Sequence, residues 1–341
     1  MQENASKGAR LLLRGAVVCS TVALSVITAA CSSDSSAKDE KDEKAADISI
    51  NPVANDAQME SPVDATPSPD GNDVYIIAST RKADPDGLGF ERVPAIFKVS
   101  SSGGPITKLH EGAPLGAPFN ITISDDGQRL FIADTGADTS EDRSDGKVWT
   151  MAASGGDVTA LAGTDGLAPG GVEAQGDSLW MTGRKDGKFG VFKTGLGGGN
   201  VTTVSTDDVF SDPTGIAVTK SGVAYVVDSG SAMSSQAGAS VIKVSADGKT
   251  EVIMQGLAVG HPGGVALSAD DKTLFVSGLD SGAGTDLVYK VALEGMQVER
   301  ITKVVGEFYE SAGLHRARTT NVFAWADSRA NNTGTVYVLG K

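Results

Sequence analysis

One short phrase recurs about every fifty residues and constrains the fold more than any other feature of this sequence. Each copy has a corner that usually contains Pro, an apolar run, a turn rich in Gly or Asp, and a second apolar run; clear copies occupy 118–136, 212–230 and 262–278. An aromatic residue in the second run gives six copies, 45 to 56 residues apart, at Tyr75, Phe131, Trp180, Tyr225, Phe275 and Phe323. A period of this length is typical of repeat architectures, so we predict six similar structural units.

Each unit contains four short apolar runs separated by turn residues. In the fourth unit they read "GIAV", "VAYVVD", "VIKVS" and "TEVIM". Runs of this length that are rich in Val and Ile indicate β-strands, and the body of the chain has no sustained helical period. Six four-stranded antiparallel units predict an all-β, six-bladed β-propeller over residues 48–341.

The sixth unit lacks its fourth strand, because the chain ends at Lys341 just after the third run. An incomplete blade would expose a bare sheet edge. The segment "DISIN" (47–51) precedes the first unit and has no other partner. We therefore predict that this N-terminal strand forms the outermost strand of the last blade and closes the ring.

Residues 1–30 have the features of a signal peptide. Three basic residues (Lys7, Arg10 and Arg14) precede the uncharged stretch 15–30, which is short for a membrane span and suits a signal sequence. Small residues then lead directly to Cys31. The pattern resembles the lipobox of bacterial lipoproteins, which implies cleavage before Cys31 and a lipid such as palmitate on its thiol. Thr28 stands where the lipobox usually has Leu, and ordinary secretion with cleavage nearby is the alternative.

Residues 31–47 are polar and rich in mixed charge, and we predict a disordered tether between the lipid and the propeller. The resemblance implies a cell-envelope location, on the outer membrane or the periplasmic face. Both cysteines, Cys19 and Cys31, precede the predicted propeller, which therefore contains no disulfide and no cysteine-ligated metal. The net charge of −14 argues against nucleic acid as a partner. We expect a monomer that meets the membrane through its anchor.

Antiparallel geometry places all the corners and the ends of all the second strands on one side of the propeller. The longest loops lie on the same side, so a binding site is expected where the central channel opens there, at the mouth. Asp134, Asp228 and Asp327 each end a second strand, and this recurrence predicts a structural role in binding the backbone amides of the turn.

The repeated phrases resemble two groups of six-bladed propellers, the NHL-repeat proteins and the senescence-marker-protein/gluconolactonase (LRE-like) family. Lactonases of that family hold one divalent cation at the mouth, through a Glu in a first-blade "G-E-[SG]-P" and Asn or Asp residues in later corners. The segment "MESPV" (59–63) matches the first element, which implies that Glu60 is the ligand for Ca²⁺ or Zn²⁺.

The later corners depart from the family pattern. Thr214 stands where an Asn is expected, Gly263 where an Asp is expected, and Asn120 is shifted by one position. These departures imply that the hydrolytic cation site is lost, so no cofactor and no catalytic residue is assigned. The remaining candidates for binding at the mouth are Glu60, Asn120, Thr214, His261, Glu310 and His315.

Three functions remain open at this point. We favour a non-catalytic binding module for a small molecule, a glycan or a protein. The alternative is a metal-dependent lactonase or related hydrolase that uses Glu60, with substitute ligands from Asn120, Asp212 or Glu310. A scaffold within an envelope complex is the third.

Overall fold

The computed structural model describes residues 48–83, 86–87, 89–137, 146–230, 238–280, 285–301 and 311–340. The chain divides into two units, 1–45 and 46–341, and every described residue lies in the second. Cys31 and Glu310 lie outside the described residues. No helix in the described part of the chain is long and apolar enough to span a membrane.

The described residues form six four-stranded antiparallel sheets, which confirms the predicted six-bladed propeller. In each blade the strands follow one another from the axis to the rim. Blade 1 contains β2 (Glu60–Pro67), β3 (Asp73–Ala83), β4 (Phe90–Ser100) and β5 (Thr107–Glu111). Blade 2 contains β6 (Pro118–Ile123), β7 (Arg129–Asp134), β8 (Lys147–Ala152) and β9 (Thr159–Ala160). Blade 3 contains β10 (Leu167–Gln175), β11 (Ser178–Lys185), β12 (Lys188–Gly195) and β13 (Thr202–Ser205).

The second half of the ring is built in the same way. Blade 4 contains β14 (Pro213–Val218), β15 (Ala224–Asp228), β16 (Ala239–Val244) and β17 (Thr250–Leu257). Blade 5 contains β18 (Val265–Leu267), β19 (Thr273–Asp280), β20 (Thr285–Ala292) and β21 (Gln297–Ile301). Blade 6 contains β22 (Ser311–Arg316), β23 (Phe323–Asp327) and β24 (Thr335–Leu339), with one 3₁₀ turn at Ala330–Asn332.

The N-terminal strand closes the ring as predicted. Strand β1 (Ile50–Ala54) pairs antiparallel with β24, with Ile50 opposite Leu339, and is the outermost strand of blade 6. It begins three residues later than the predicted segment 47–51. Val53 and Ala54 of β1 are buried in the apolar cluster between blades 6 and 1.

The core is divided into six apolar layers, one between each pair of neighbouring blades. Side chains alternate across each strand, so every blade contributes one face to each of two layers. The aromatic alignment holds for five blades; for example, Phe131 lies opposite Thr122 and Phe275 opposite Ala266. In blade 6 the equivalent residue is Ala324, opposite His315, and not Phe323. Phe323 points to the other face, where its ring packs against Phe275 with the centroids 4.5 Å apart.

The inner strands approach one another closely at the axis. The position two residues after the corner, at or near the start of each inner strand, holds Gly in blades 3 to 6 and a polar residue in blades 1 and 2. These residues are Gly171, Gly215, Gly264, Gly313, Asp64 and Asn120. A Cβ atom at Gly171 would lie 1.9 Å from the carbonyl oxygen of the next blade, and one at Gly264 would lie 2.3 Å from the next blade's Leu314 nitrogen. These glycines are therefore required by backbone packing.

Candidate functional site

A buried polar network fills the central channel below the mouth. Asp64 in blade 1 and His315 in blade 6 are its centre, with Asp64 Oδ2 3.0 Å from His315 Nε2. Asp64 also accepts hydrogen bonds from the backbone nitrogens of Ala65 at 2.9 Å and Ile121 at 2.7 Å. The carboxylate therefore ties blade 1 to blades 2 and 6.

Asn120, one of the predicted mouth residues, belongs to this network. Its Oδ1 accepts a hydrogen bond from the Val172 nitrogen of blade 3 at 2.8 Å, and its Nδ2 lies 3.3 Å from His315 Nε2. Asn120 is buried, and both ends of its amide are occupied by protein groups. The structure thus brings Asn120 and His315 together, within the channel and not on an exposed surface.

A second ionic cluster continues the network toward the far side of the propeller, where the inner strands end. Glu173 in blade 3 lies 3.5 Å from His315 Nδ1 and 2.5 Å from Arg318 Nη1. Arg318 also pairs with Asp125 at 3.1 Å and donates to the carbonyl oxygen of Ile123. Blades 3 and 6 are on opposite sides of the ring, so these contacts cross the axis.

Burial and ion pairing shift the pKa values of this network in opposite directions. Burial alone would lower the pKa of His315, but Asp64 and Glu173 outweigh it and raise the pKa to about 10. Burial alone would raise the pKa of Glu173, but Arg318 and His315 lower it to about 2. His315 and Glu173 are therefore both charged at neutral pH, and each lies beside a group of opposite charge.

Sequence reasoning missed Asp64, Glu173 and Arg318. Glu173 and Asp64 could have been recognised as unusual, because each is a carboxylate inside an inner strand. Blades 4 and 5 have Ala217 and Ala266 at the position of Glu173, and blades 3 to 6 have Gly at the position of Asp64. The charged partners of Glu173 are His315 and Arg318, which lie more than 140 residues away in the sequence, so the ionic pairing depends on the closed ring.

Glu60 lies at the corner of blade 1, where the resemblance placed it; Oε1 of its carboxylate is paired with Arg81, whereas Oε2 is buried without a hydrogen-bond partner among the described residues and has only Arg92 within ion-pair distance. Arg81 Nη2 lies 2.6 Å from one oxygen and Arg92 Nε lies 3.6 Å from the other. Both arginines come from the β3–β4 hairpin, and the Glu60 side chain is only 10% exposed. Across the described residues, no group of three or more His, Cys, Asp or Glu side chains is arranged to hold a metal ion.

Thr214 links three blades through hydrogen bonds. Its Oγ1 accepts from the Gly263 nitrogen of blade 5 at 3.1 Å, and its carbonyl oxygen accepts from Thr182 Oγ1 of blade 3 at 2.6 Å. A Cβ atom at Gly263 would lie 2.5 Å from Val227. At both corners, the residues that depart from the family pattern are explained by packing between blades.

The three Asp residues that end second strands bind turn amides, as predicted. Asp134 accepts from the nitrogens of Gly116, Ala117 and Gly136 at 2.8 to 2.9 Å, and also from Trp149 Nε1 at 3.0 Å. Asp228 accepts from the nitrogens of Ser211, Asp212 and Gly230, and Asp327 from those of Arg329 and Ala330.

Among the described residues, Phe119, His261 and Asp212 have accessible side chains at the mouth. The rings of Phe119 in blade 2 and His261 in blade 5 lie with centroids 4.8 Å apart, at an interplanar angle of 57°. Since these blades are on opposite sides of the ring, the pair spans the channel axis. His261 Nδ1 lies 3.7 Å from Asp212 Oδ2, and the two side chains are 50% and 40% exposed.

The surroundings of Asp212 raise the pKa of its carboxyl group. Partial burial is the main cause, the Asp228 charge adds to it, and His261 opposes it. Phe119 was not among the predicted site residues. A signal was available, because small residues (Gly170, Gly263 and Ala312) hold the equivalent position in three other blades and leave room for one large ring.

Comparison with known proteins supports the fold alone. No protein-family model and no curated protein sequence matches this chain. Among solved structures, TolB from Acinetobacter baumannii is similar at a TM-score of 0.53 and 13% identity, over 73% of this chain and 55% of that chain. The Niastella koreensis GH74 enzyme has a TM-score of 0.53 at 14% identity, over 82% of this chain and 48% of that chain. The nidogen/laminin complex has a TM-score of 0.50 at 10% identity, over 82% of this chain and 98% of that chain.

The alignments thus span about half the length of the TolB and GH74 chains. At sequence identities this low, the similarity indicates a β-propeller fold. It gives no information on activity, substrate or partner.

Proposed function

We propose that this chain is a non-catalytic binding protein of the bacterial cell envelope that holds its ligand at the mouth of the propeller. The ligand class covers small molecules, glycans and protein segments. The observation that carries the proposal is the pairing of Glu60 with Arg81 and Arg92. The residue that a gluconolactonase-like enzyme would use to bind its cation already has two cationic partners.

The buried network at the axis supports the same conclusion. His315 is paired with Asp64 and Glu173, Asn120 Oδ1 accepts a hydrogen bond from the Val172 nitrogen, and all four side chains are buried. In the described part of the channel below the mouth, the Asp64, Glu173 and His315 side chains are therefore already paired with other protein groups. By contrast, Phe119, His261 and Asp212 are accessible, and they offer an aromatic surface beside a carboxylate. Such a mixture of apolar and polar groups is typical of binding sites.

The cellular location rests on the sequence. The lipobox-like segment before Cys31 and the polar stretch 31–47 support a lipid anchor and a tether. A Cys31→Ser variant should move the protein from the membrane fraction to the soluble fraction, and it should abolish the mass added by acylation. A variant that remains in the membrane fraction with an unchanged added mass would contradict the anchor.

A comparison of two carboxylate variants separates binding from metal-dependent hydrolysis. Glu60→Gln removes the candidate ligand, whereas Glu111→Gln removes another carboxylate of blade 1, paired with Thr80, Lys82 and Lys108. We expect purified wild type to contain far less than one Ca²⁺ or Zn²⁺ per chain and to show no turnover of gluconolactone with either ion added. One bound ion per chain, lost together with turnover in Glu60→Gln and retained in Glu111→Gln, would establish the hydrolase instead.

A further inference from the structure

The Asp212 carboxylate at the mouth lacks a close partner. Within the described residues, the nearest basic side-chain atom is His261 Nδ1, at 3.7 Å, which is beyond hydrogen-bond distance, and no other described group donates a hydrogen bond to the Asp212 carboxylate. Its neighbour Asp228, by contrast, accepts hydrogen bonds from three backbone nitrogens and a hydroxyl. Asp212 is also partly shielded from water, so a ligand of opposite charge would interact with it more strongly than with a fully solvated carboxylate.

The basic side chains described near the corners are engaged elsewhere. Arg81 and Arg92 pair with Glu60, Lys147 pairs with Asp165, and Lys185 pairs with Asp186. In the described part of the chain, no Lys or Arg lies within ion-pair distance of Asp212. Among the described residues, the basic group nearest to the Asp212 carboxylate is the His261 imidazole, whose Nδ1 lies 3.7 Å away.

Phe119 places an aromatic ring at the same point. The ring is half-buried and contacts the His261 ring, which in turn contacts Asp212. An aromatic face attracts cations through its quadrupole, and it also covers the apolar part of an organic ligand. His261 contacts both the Phe119 ring and the Asp212 carboxylate. The two side chains therefore lie close together, and each can attract a positively charged group.

We propose that the mouth binds an organic cation, a primary ammonium or a guanidinium group, with Asp212 as its counter-ion and Phe119 as its aromatic contact. His261 positions both groups. The inference rests on the proposed binding function and specifies the ligand chemistry. The net charge of −14 favours the approach of such a ligand. A free polyamine and a basic side chain of a protein partner share this chemistry.

Calorimetric titration at low ionic strength tests the proposal with two probes. Spermidine represents the free amine, and a short peptide with one Lys and one Arg represents the protein side chain. We expect at least one probe to bind saturably, and Asp212→Asn and Phe119→Ala each to weaken that binding by about tenfold or more. Added salt should weaken it further. The probe that binds more tightly identifies the source of the cation.

Asp208→Asn is the matched control, since Asp208 is an exposed carboxylate in the segment that leads into the same corner. Retained affinity in this variant shows that the site, and not the overall negative charge, binds the probe. Equal weakening in Asp208→Asn, or no saturable binding of either probe, would overturn the inference. If a neutral oligosaccharide binds to wild type and this binding is lost in Phe119→Ala, the inference of a cationic ligand would be wrong. The proposed binding function would still hold. Thermal melts verify that each variant is folded.

Discussion

His315 Nε2 lies 3.0 Å from Asp64 Oδ2 and joins the inner strand of the last blade to that of the first, across the seam where the ring closes. At the rim, the same closure is made by β1, which completes blade 6 and then continues into blade 1. The propeller is thus closed twice, by a strand at its outer edge and by an ion pair at its axis.

Removal of Asp64 should strongly destabilise the protein. Asp64→Asn leaves a buried, protonated His315 without its main counter-ion, and breaking such a pair costs about 3–5 kcal/mol. Chemical denaturation measures the loss in free energy of unfolding. The control is Asp247→Asn, which removes an exposed ion pair with Lys249 and should cost less than about 1 kcal/mol. Equal losses in the two variants would contradict the role assigned to Asp64.

The buried ionic network predicts a stability maximum in mildly acidic solution. The pKa of His315 is raised from 6.5 to about 10, so its contribution to the free energy of unfolding is complete below about pH 6.5 and lost as pH rises toward 10. The pKa of Glu173 is lowered from 4.5 to about 2, so its contribution is complete above about pH 4.5 and lost as pH falls toward 2. Both contributions are present between about pH 4.5 and 6.5.

A pH series of denaturation curves tests this expectation. The groups that contact the His315 imidazole are Asp64, Asn120 and Glu173. The difference in stability between wild type and His315→Gln should therefore shrink between pH 6.5 and 10. A difference that is constant across this range would show that His315 does not titrate in the way the network requires.

The inner-strand glycines should not tolerate a side chain. In Gly264→Ala the new Cβ would lie 2.3 Å from the Leu314 nitrogen and 2.8 Å from the Ala312 carbonyl oxygen, so the inner strands of blades 5 and 6 must separate. We expect a loss of about 1–3 kcal/mol in the free energy of unfolding, the usual cost of overpacking. Gly197→Ala is the control, because its Cβ would meet nothing within 4 Å and its backbone has no positive φ. A Gly264→Ala variant as stable as this control would contradict the close approach.

Loss of the N-terminal strand should open the ring. Deletion of residues 45–53 removes most of β1 and exposes the edge of β24, so the melting temperature should fall sharply. Deletion of residues 36–44 removes the same length of chain just before this segment and should leave the melting temperature unchanged. An unchanged melt after the first deletion would contradict closure by β1.

The fold could be predicted because the sequence features that specify it are short segments that recur in every blade. Six copies of one phrase give the blades, a missing last strand gives the closure, and Asp134 and its equivalents bind turn amides within their own blade. The network of Asp64, Glu173 and Arg318 could not be predicted, since its members are distant in the sequence and meet only at the axis.

The same distinction applies to the candidate site: contacts between residues close in the sequence could be predicted, and contacts between distant residues could not. His261 was identified from its corner, but its partner Phe119 lies on the opposite blade, and only the ring places the two side chains together. Gly263 was interpreted as the loss of a metal ligand. The structure adds a steric reason for glycine there, because Val227 occupies the space that a side chain would need.

The most direct test of a binding propeller without a catalytic metal is an experimental crystal structure of the purified protein, grown with no added ligand or metal and measured for anomalous scattering. The account predicts six four-stranded blades, no anomalous peak within coordination distance of Glu60, and the Glu60 carboxylate in contact with Arg81 and Arg92. A cation at the centre of the mouth that is coordinated by Glu60, with the two arginines displaced, would contradict it.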